Sequence, residues 1–446
     1  MSFSVTKKAA LNVAFIVSLY LPTVLVFYFA ISKDYTPLEE YTSLRLLVLL
    51  LFMPIILKYI IQLVVAPLYS INEYARSRKR NPNYMPSVSV IIPAHNEEVG
   101  ILKTLKSVIA TKYPNLEIII ANDGSTDRTH DVVLSFIKEH KNISIIYKQL
   151  KNGGKSRALN QALAVARNEL VVTVDADSVM DKNTIRNIVK HFEDPSVASV
   201  AGNVIIGNKG RPIGLIQQLE YMYGFYFKRA DSLFNAVYIV GGAAAAYRRE
   251  LIIKTGGFDN NIITEDIELS TRLQALGYHV RYAPDAIVFT EGPSDFVGLC
   301  NQRLRWKYGR LLTFMKHRRL FFSFDKGHKF YLSFLILPVA LFAEILLFFE
   351  WVLLAIFYTY TIYTNDYIPL AFVITLLAIV IILQVFSDSK IKHSWNLLVF
   401  APVGWLIFYF MDLIEYQALI RSLKRILFKS DLAWQKWKRE GVFDEA

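Results

Sequence analysis

The chain has 446 residues, 53% of them apolar, and a formal net charge of +12. Long uncharged runs towards both ends exclude an ordinary soluble domain and indicate an integral membrane protein. The single cysteine, Cys300, excludes an internal disulfide, and the excess Lys and Arg gathers beside the apolar runs, which favours a membrane surface and an anionic substrate over nucleic acid.

A basic leader with Lys7 and Lys8 precedes the first apolar run, residues 9–31, which is long enough to span a bilayer. The run is longer than the apolar part of a signal peptide and has no evident small-residue cleavage site. A loop with Asp34, Glu39 and Glu40 follows, then a second run at 46–68, then Arg76, Arg78, Lys79 and Arg80. Cytosolic loops carry the excess of Lys and Arg, so residues 1–80 are expected to hold two spans, with the N-terminus and everything after Arg80 cytosolic. Lys58 and, one turn on, Gln62 lie deep in the second run, where a lysine is costly unless it snorkels or faces protein or a polar cavity.

From residue 87 the texture changes to β-branched runs alternating with amphipathic stretches. Strands are predicted at 88–92, 117–121, 143–147, 170–174 and 197–201. The first ends in Pro93-Ala94-His95-Asn96-Glu97-Glu98, the second in Asn122-Asp123-Gly124-Ser125, and the third leads to Asn152-Gly153-Gly154-Lys155. This alternation predicts an α/β domain over residues 81–310, a doubly wound, mostly parallel sheet inserted between α-helical transmembrane segments. The fourth strand, Leu170-Val171-Val172-Thr173-Val174, ends on Asp175-Ala176-Asp177. Ligands of open α/β sheets bind beyond the carboxyl ends of strands. An Asp-x-Asp there suits a hard divalent cation shared with diphosphate oxygens, although a solvated turn also favours Asp. Asp123 is positioned to accept hydrogen bonds from a nucleoside, and Lys155, at a helix mouth behind two glycines, to sit on a phosphate.

An aromatic-rich helix is expected at about 213–234. Gly241-Gly242 then opens a small-residue run to Ala246, and a further helix starts at Thr264-Glu265-Asp266 and stops at Gly277. Glu265 and Asp266 offer a carboxylate pair for base chemistry, while acids at a helix N-terminus also simply complement its dipole. A last helix before the C-terminal spans carries Gln302-Arg303-Leu304-Arg305-Trp306, in which Gln302, Arg305 and Trp306 share one face. An amide, a cation and an indole together suit a pyrophosphate and a sugar ring. Residues 311–328, with Lys316, His317, Arg318 and Arg319 before Leu320, Phe321 and Phe322, are expected to form an amphipathic helix in the membrane interface. The C-terminal region, 329–446, has three apolar runs at about 330–363, 368–386 and 397–420. Five single crossings would put the tail outside, yet Arg421, Lys424, Arg425, Lys429, Lys436, Lys438 and Arg439 belong inside. Pro338 and Glu344, or Pro402 and Gly404, mark the runs expected not to cross cleanly.

Taken together, Asn122-Asp123-Gly124-Ser125, Asp175-Ala176-Asp177, Thr264-Glu265-Asp266 and Gln302-Arg303-Leu304-Arg305-Trp306 resemble the membrane-bound processive synthases of glycosyltransferase family 2. The resemblance implies a GT-A-like nucleotide-sugar domain. It implies Pro93, Glu97, Asp123, Lys155 and Asp175 on the UDP-sugar donor, Asp177 on Mg²⁺ or Mn²⁺, and Asp266 as the base with Glu265 beside it. Gln302, Arg305 and Trp306 would hold the donor diphosphate and the acceptor end. Ile263-Thr264-Glu265-Asp266 with Ala246-Tyr247-Arg248-Arg249 looks most like bacterial poly-N-acetylglucosamine synthases, then hyaluronan, chitin-oligosaccharide and cellulose synthases; Gly241-Gly242 departs from the Ser-Gly expected there.

The implied activity is processive, inverting polymerisation of N-acetylglucosamine, with the growing polysaccharide moved across the cell membrane by a multi-pass protein whose catalytic domain is cytosolic. Lys58, Gln62 and Glu344 would then contact sugar hydroxyls along a path through the bilayer. A small accessory membrane subunit is a further expected partner; nucleic acid is not. A polyprenyl-phosphate or glycolipid glycosyltransferase would share the nucleotide site but has no need of the Gln-x-x-Arg-Trp helix. A non-catalytic scaffold would have no reason to keep Asp123, Asp177, Asp266 and Arg305 together.

Overall fold

The computed structural model describes residues 2–34, 42–208, 210–388, 390–430, 432 and 441, without the side chains of 2–13 and 42–45. Glu39, Glu40, Lys436, Lys438 and Arg439, and the side chains of Lys7 and Lys8, lie outside the described residues.

The eight strands among the described residues are β1 (Val88–Ala94), β2 (Leu116–Asp123), β3 (Ser144–Leu150), β4 (Leu170–Thr173), β5 (Ser178–Met180), β6 (Val197–Ile206), β7 (Ala245–Arg248) and β8 (His279–Thr290). They form one sheet in the order β3-β2-β1-β4-β7-β6-β8-β5. The helices are α1 (Ser2–Ser32), α2 (Thr42–Val65), α3 (Leu68–Ser77), α4 (Ile101–Ala110), α5 (Thr129–Glu139), α6 (Lys155–Leu163), α7 (Thr184–Val189) and α8 (Pro212–Leu233). They continue with α9 (Arg249–Lys254), α10 (Glu265–Ala275), α11 (Phe296–Lys316), α12 (Leu337–Thr364), α13 (Ile368–Phe386), α14 (Ile391–Ser394) and α15 (Gly404–Leu427).

Strands β3, β2, β1 and β4 are parallel, as β-α alternation requires. Side chains alternate across the pleat. Val90, Ile92, Ile118 and Val172 therefore pack with Ile101, Leu105 and Val108 of α4 on one face, while Ile91, Ile119 and Val171 meet Ala158 and Leu159 of α6 on the other. The other half of the sheet is mixed. β7 runs antiparallel between β4 and β6, with Ala245 opposite both Thr173 and Ala201. Its alanines have low intrinsic strand preference, so only the slot between two formed strands makes them one. β8 pairs parallel with β6 until the register shifts between Ala283 and Ile287, and Pro284 lies in that irregularity.

Among the described residues five segments are long and apolar enough to cross a membrane: Ala14–Ser32, Leu46–Val65, Tyr331–Thr364, Ile368–Phe386 and Ile391–Leu427. The fifth turns back on itself. At its start, Lys390 Nζ lies 2.8 Å from Asp181 Oδ2 of the α/β domain, and Gln218 Nε2 donates to the His393 carbonyl at 2.7 Å. A 3₁₀ stretch, Trp395–Val403, then runs beside α1 until Trp405 Nε1 donates to Thr23 Oγ1 at 3.0 Å, with Pro402 and Gly404 at the turn. Helix α15 comes back to pack Leu419 against Leu311 of α11, and Gly441 N donates to Glu291 Oε2 of the α/β domain at 3.1 Å. Leu397, Phe400, Ala401 and Val403 are buried, which is what irregular backbone at membrane depth requires. The segment enters and returns on the α/β side. Lys424, Arg425 and Lys429, at and just past the end of α15, therefore lie on the α/β side.

The expected interface helix is not formed. α11 ends at Lys316 and a single 3₁₀ turn, Arg318–Leu320, follows. Lys316 Nζ and His317 Nε2 lie 2.6 and 3.0 Å from Glu268 Oε1, and Leu320 is buried with Phe314, Leu332 and Ile336. A buried carboxylate and an apolar niche thus hold Lys316, His317 and Leu320, while Arg318, Arg319, Phe322 and Phe324 stay exposed.

Candidate active site

One cavity of about 1280 Å³ opens beyond the carboxyl ends of β1, β2 and β4 and continues between α2, α8, α12 and α15. Every residue singled out from the sequence lines it: Pro93, Glu97, Asp123, Lys155, Asp175, Asp177, Glu265, Asp266, Gln302, Arg305 and Trp306.

Asp123 ends β2, and its two carboxylate oxygens accept from Gly153 N and Gly154 N at 2.8 Å each. Gly154 has φ +91°, a conformation that disfavours any side chain, so this glycine turns the chain into α6. Asp123 thus clamps the loop that aims Lys155. Lys155 Nζ stands 2.7 Å from Asp175 Oδ1 and 3.4 Å from Glu265 Oε1. Burial opposes its charge, but Asp175, Glu265 and Asp266 outweigh burial and hold the ammonium well above its usual range. The lysine expected on a phosphate is here the counter-ion of three acids. Burial pushes the Glu265 carboxyl up to about 7, with Asp266 adding to the rise and Lys155 opposing it.

Asp266 Oδ2 accepts from Gly242 N at 2.7 Å and Oδ1 from Ile267 N at 2.8 Å, while the group stays half-exposed to the cavity. A Cβ on Gly242 would come within 3.0 Å of Lys155 Nζ, so the second glycine of the Gly-Gly pair permits this close packing of loop, base and lysine. Beyond β4, the Ala176 carbonyl accepts from Thr104 Oγ1 at 2.8 Å, which fixes the loop between the two aspartates. Asp177 Oδ1 accepts from Ser178 Oγ at 3.1 Å and Thr290 Oγ1 at 3.4 Å. Among the described residues no group of three or more His, Cys, Asp or Glu side chains is placed to hold a metal. One carboxylate on a cavity wall instead fits a Mg²⁺-like ion, which takes one or two protein carboxylates and completes its shell with phosphate oxygens and water.

α11 is capped by Asp295, whose Oδ1 accepts from Gly298 N at 2.7 Å. Trp306 has the Arg303 guanidinium carbon 4.3 Å from its ring centre and Tyr221 at 6.1 Å. Arg303 Nη2 is in turn 2.6 Å from Glu220 Oε2. Gly309 lets α11 press against Thr264, because a Cβ there would lie 2.2 Å from the threonine hydroxyl. The Thr-Glu-Asp and Gln-x-x-Arg-Trp motifs are therefore held together by direct helix contact.

Sequence reasoning missed two sets of cavity residues. One is the α8 face with Tyr221, Gly224, Phe225 and Lys228, signalled only by the helix's aromatic content. The other is the ion cluster at the membrane end, where Lys307 Nζ lies 2.8 Å from Glu344 Oε2 and 2.6 Å from Glu415 Oε2, and Arg310 pairs with Glu344. Glu344 was expected to contact sugar hydroxyls; its two oxygens are instead held by these cations. Gln62 Nε2 donates to Asp231 Oδ1 at 2.8 Å, and Lys58 Nζ lies 4.4 Å from the Tyr59 ring centre. Both line the cavity.

Residues 89–256 match the family model for Glycosyl transferase family 2. That segment is similar to glycosyl transferase family 2 domains. The chain is 34% identical over 253 residues to a poly-beta-1,6-N-acetyl-D-glucosamine synthase of Staphylococcus aureus (strain COL), which covers 56% of this chain and 60% of the relative. It is 33% identical over 234 residues to the synthase of the same name from Staphylococcus epidermidis, covering 52% and 56%. The chain thus spans under two thirds of the length of the curated relatives it matches. In fold it is similar to the mannosyltransferase PcManGT from Pyrobaculum calidifontis, solved with GDP-Man and Mn²⁺, with TM-score 0.55 and 20% identity over 83% of this chain and 100% of that one. The family 2 match contains Asp123, Lys155, Asp175 and Asp177 but ends before Glu265. Assignments from Glu265 to Trp306 therefore rest on the geometry around Lys155 and Thr264.

Proposed function

We propose that this chain is a processive, inverting β-glycosyltransferase that polymerises N-acetylglucosamine from UDP-N-acetylglucosamine and passes the product across the membrane from a cytosolic catalytic domain. The observation that carries the reading is the single cavity that joins strand-end acids, Asp266 and Trp306 to groups inside the membrane segments. The relatives' names support the sugar, and Ile263-Thr264-Glu265-Asp266 agrees with it.

In this reading the nucleotide sugar lies beyond β1, β2 and β4, with Pro93, Glu97 and the Asp123-held loop beside it and Arg305 and Gln302 towards its diphosphate. Asp177 would hold a divalent ion, Mg²⁺ or Mn²⁺, which when bound neutralises the leaving diphosphate. Asp266 takes the proton from the acceptor hydroxyl as that oxygen attacks the anomeric carbon from the face opposite the diphosphate, so an α-linked donor gives a β-linked product. Lys155 offsets the charge of Asp175 and Glu265 beside the base. Trp306 supplies an apolar face for the acceptor ring and holds its hydroxyl towards Asp266, and such positioning accounts for much of the rate.

The test is to incubate the detergent-purified chain with labelled UDP-sugars and Mg²⁺ or Mn²⁺. Polymer from UDP-N-acetylglucosamine is expected. A glycolipid product would establish the lipid-linked alternative, and no transfer with any donor would remove the enzyme reading. For export, the chain is placed in sealed vesicles with the catalytic domain outward. Polymer protected from an added glycosidase is expected; product that remains wholly digestible would refute transport.

A further inference from the structure

One cavity-lining side chain has no role in this scheme, although it faces the base. Lys228 lies on the strip of α8 formed by Tyr221, Gly224, Phe225 and Lys228, spaced i, i+3, i+4 and i+7 and hence on one face. The Tyr221 and Phe225 rings are stacked at 6.0 Å, and Tyr221 also stands 6.1 Å from Trp306, so the strip continues the acceptor-side aromatic surface. Lys228 Nζ lies 3.9 Å from the Phe225 ring centre. Among the described residues no carboxylate lies within ion-pair distance of it, unlike Lys155, Lys307 and Arg310, which all have acid partners. Burial lowers its pKa to about 8, with Asp231 and Asp266 opposing the shift, so the amine remains a hydrogen-bond donor whose charge is costly to leave unsatisfied.

Beside it there is room. A Cβ built on Gly224, one helical turn before Lys228, would meet nothing within 4 Å, and the same holds for Gly241, next to the glycine whose N–H binds Asp266. Glycine inside a helix costs about 1 kcal/mol relative to alanine. At Gly224 no neighbouring atom requires it, so the open space itself is the feature to explain. A donor, an aromatic wall and a void of side-chain size together match a substituent that ends in a carbonyl oxygen and a methyl group.

We propose that Gly224 and Lys228 form an acetamido pocket for the acceptor sugar. The Lys228 amine donates to the amide carbonyl, the methyl group occupies the space above Gly224, and the ring rests on Tyr221 and Trp306. This deepens the polymerase reading and rests on it. Lys228 is a specificity-determining residue, and Gly224 supplies the volume. A free amine at the same sugar position has no carbonyl to accept from Lys228 and, when protonated, is repelled by it.

The experiment uses the full chain with UDP-N-acetylglucosamine and compares kcat/KM for a short β-linked N-acetylglucosamine oligosaccharide and for its de-N-acetylated counterpart. A hydrogen bond to a charged donor is worth enough to give the acetylated acceptor an advantage of about tenfold or more. Lys228→Met is expected to bring the ratio close to one, Lys228→Arg to keep most of it, and Gly224→Leu to impair the acetylated acceptor more than the other. An active Lys228→Met enzyme with the wild-type ratio would overturn the proposal, as would a wild type without preference. Should Lys228→Met fail to fold, Gly224→Ala and Gly224→Leu decide it: equal losses on both acceptors refute the pocket. Absence of transfer by the wild type to either acceptor would instead strike the polymerase reading itself.

Discussion

Replacing Asp266 with asparagine separates catalysis from support. In the native site both carboxylate oxygens accept backbone N–H groups, from Gly242 at 2.7 Å and Ile267 at 2.8 Å. The amide keeps one acceptor and turns a donor towards the other N–H. One hydrogen bond is lost and one partly buried N–H is left unpaired, a local cost of about 1–3 kcal/mol. Loss of a general base lowers turnover by about 10²–10⁴-fold, or roughly 3–5 kcal/mol of barrier. If Asp266 is the base, the fall in turnover exceeds what loosening of the Gly242 loop explains. UDP affinity should hold, because Asp123, Asp177 and Arg305 are untouched. Turnover is read from UDP release and affinity from calorimetry on the purified Asp266→Asn chain. Parallel losses of turnover and UDP affinity would show a binding or structural role, and wild-type turnover would end the assignment.

Asp177→Asn is expected to abolish transfer while the protein still inserts into membranes; activity that survives this change, or excess chelator, removes the metal from Asp177. Lys155→Met leaves Asp175, Glu265 and Asp266 without their cation. Breaking a buried pair costs about 3–5 kcal/mol and this one less, since the lysine side chain is 19% exposed. The variant should lose activity at a lower temperature, and unchanged thermal inactivation would contradict the charge account. Glu265 has a folded-state pKa of about 7 against an ordinary 4.5, so between those values the folded state binds more protons and stability falls as pH rises. Glu265→Gln should remove part of that decline, which unfolding midpoints across the window would measure; an identical pH profile would refute it. A cysteine at Ser430 in a Cys300→Ser background should react with an impermeant reagent from the side of the catalytic domain, and labelling only from the opposite side would rule out the re-entrant segment.

The parts legible in sequence were those whose physics is local. Strands β1, β2 and β4 are buried on both faces and read as largely apolar runs, and the acids Asp123 and Asp177 follow from those runs. Gly277, with φ +87°, was readable as a helix stop because that conformation suits glycine. What was hidden depends on partners far along the chain. Ala245 and Ala246 become a central strand only because β4 and β6 flank them. Lys316 is drawn to Glu268, a buried carboxylate 48 residues earlier that it shares with Arg272 and His317. For Asp123 and Lys155 residue type foretold a polar contact, but the protein partners, two backbone amides and two carboxylates, come from elements that sequence alone does not bring together.

Helix α11 couples the chemistry to the membrane. Its Trp306 faces the aromatic strip of α8, its Gly309 abuts Thr264 beside the acid pair, and its Lys307 is held by Glu344 of α12 and Glu415 of α15. Charges this deep persist only when paired, since an ion left alone there costs several kcal/mol. The Lys307 cluster therefore ties α11 to two helices that border the membrane end of the cavity. A shift of α12 or α15 would carry Trp306 with it, and a shift of Trp306 would strain the same pairs. Under the proposed function, such a linkage would keep the site of bond formation in register with the path behind it. A sugar unit added beside Asp266 would enter that path without leaving the protein, which is the geometric condition for adding the next one to the same chain.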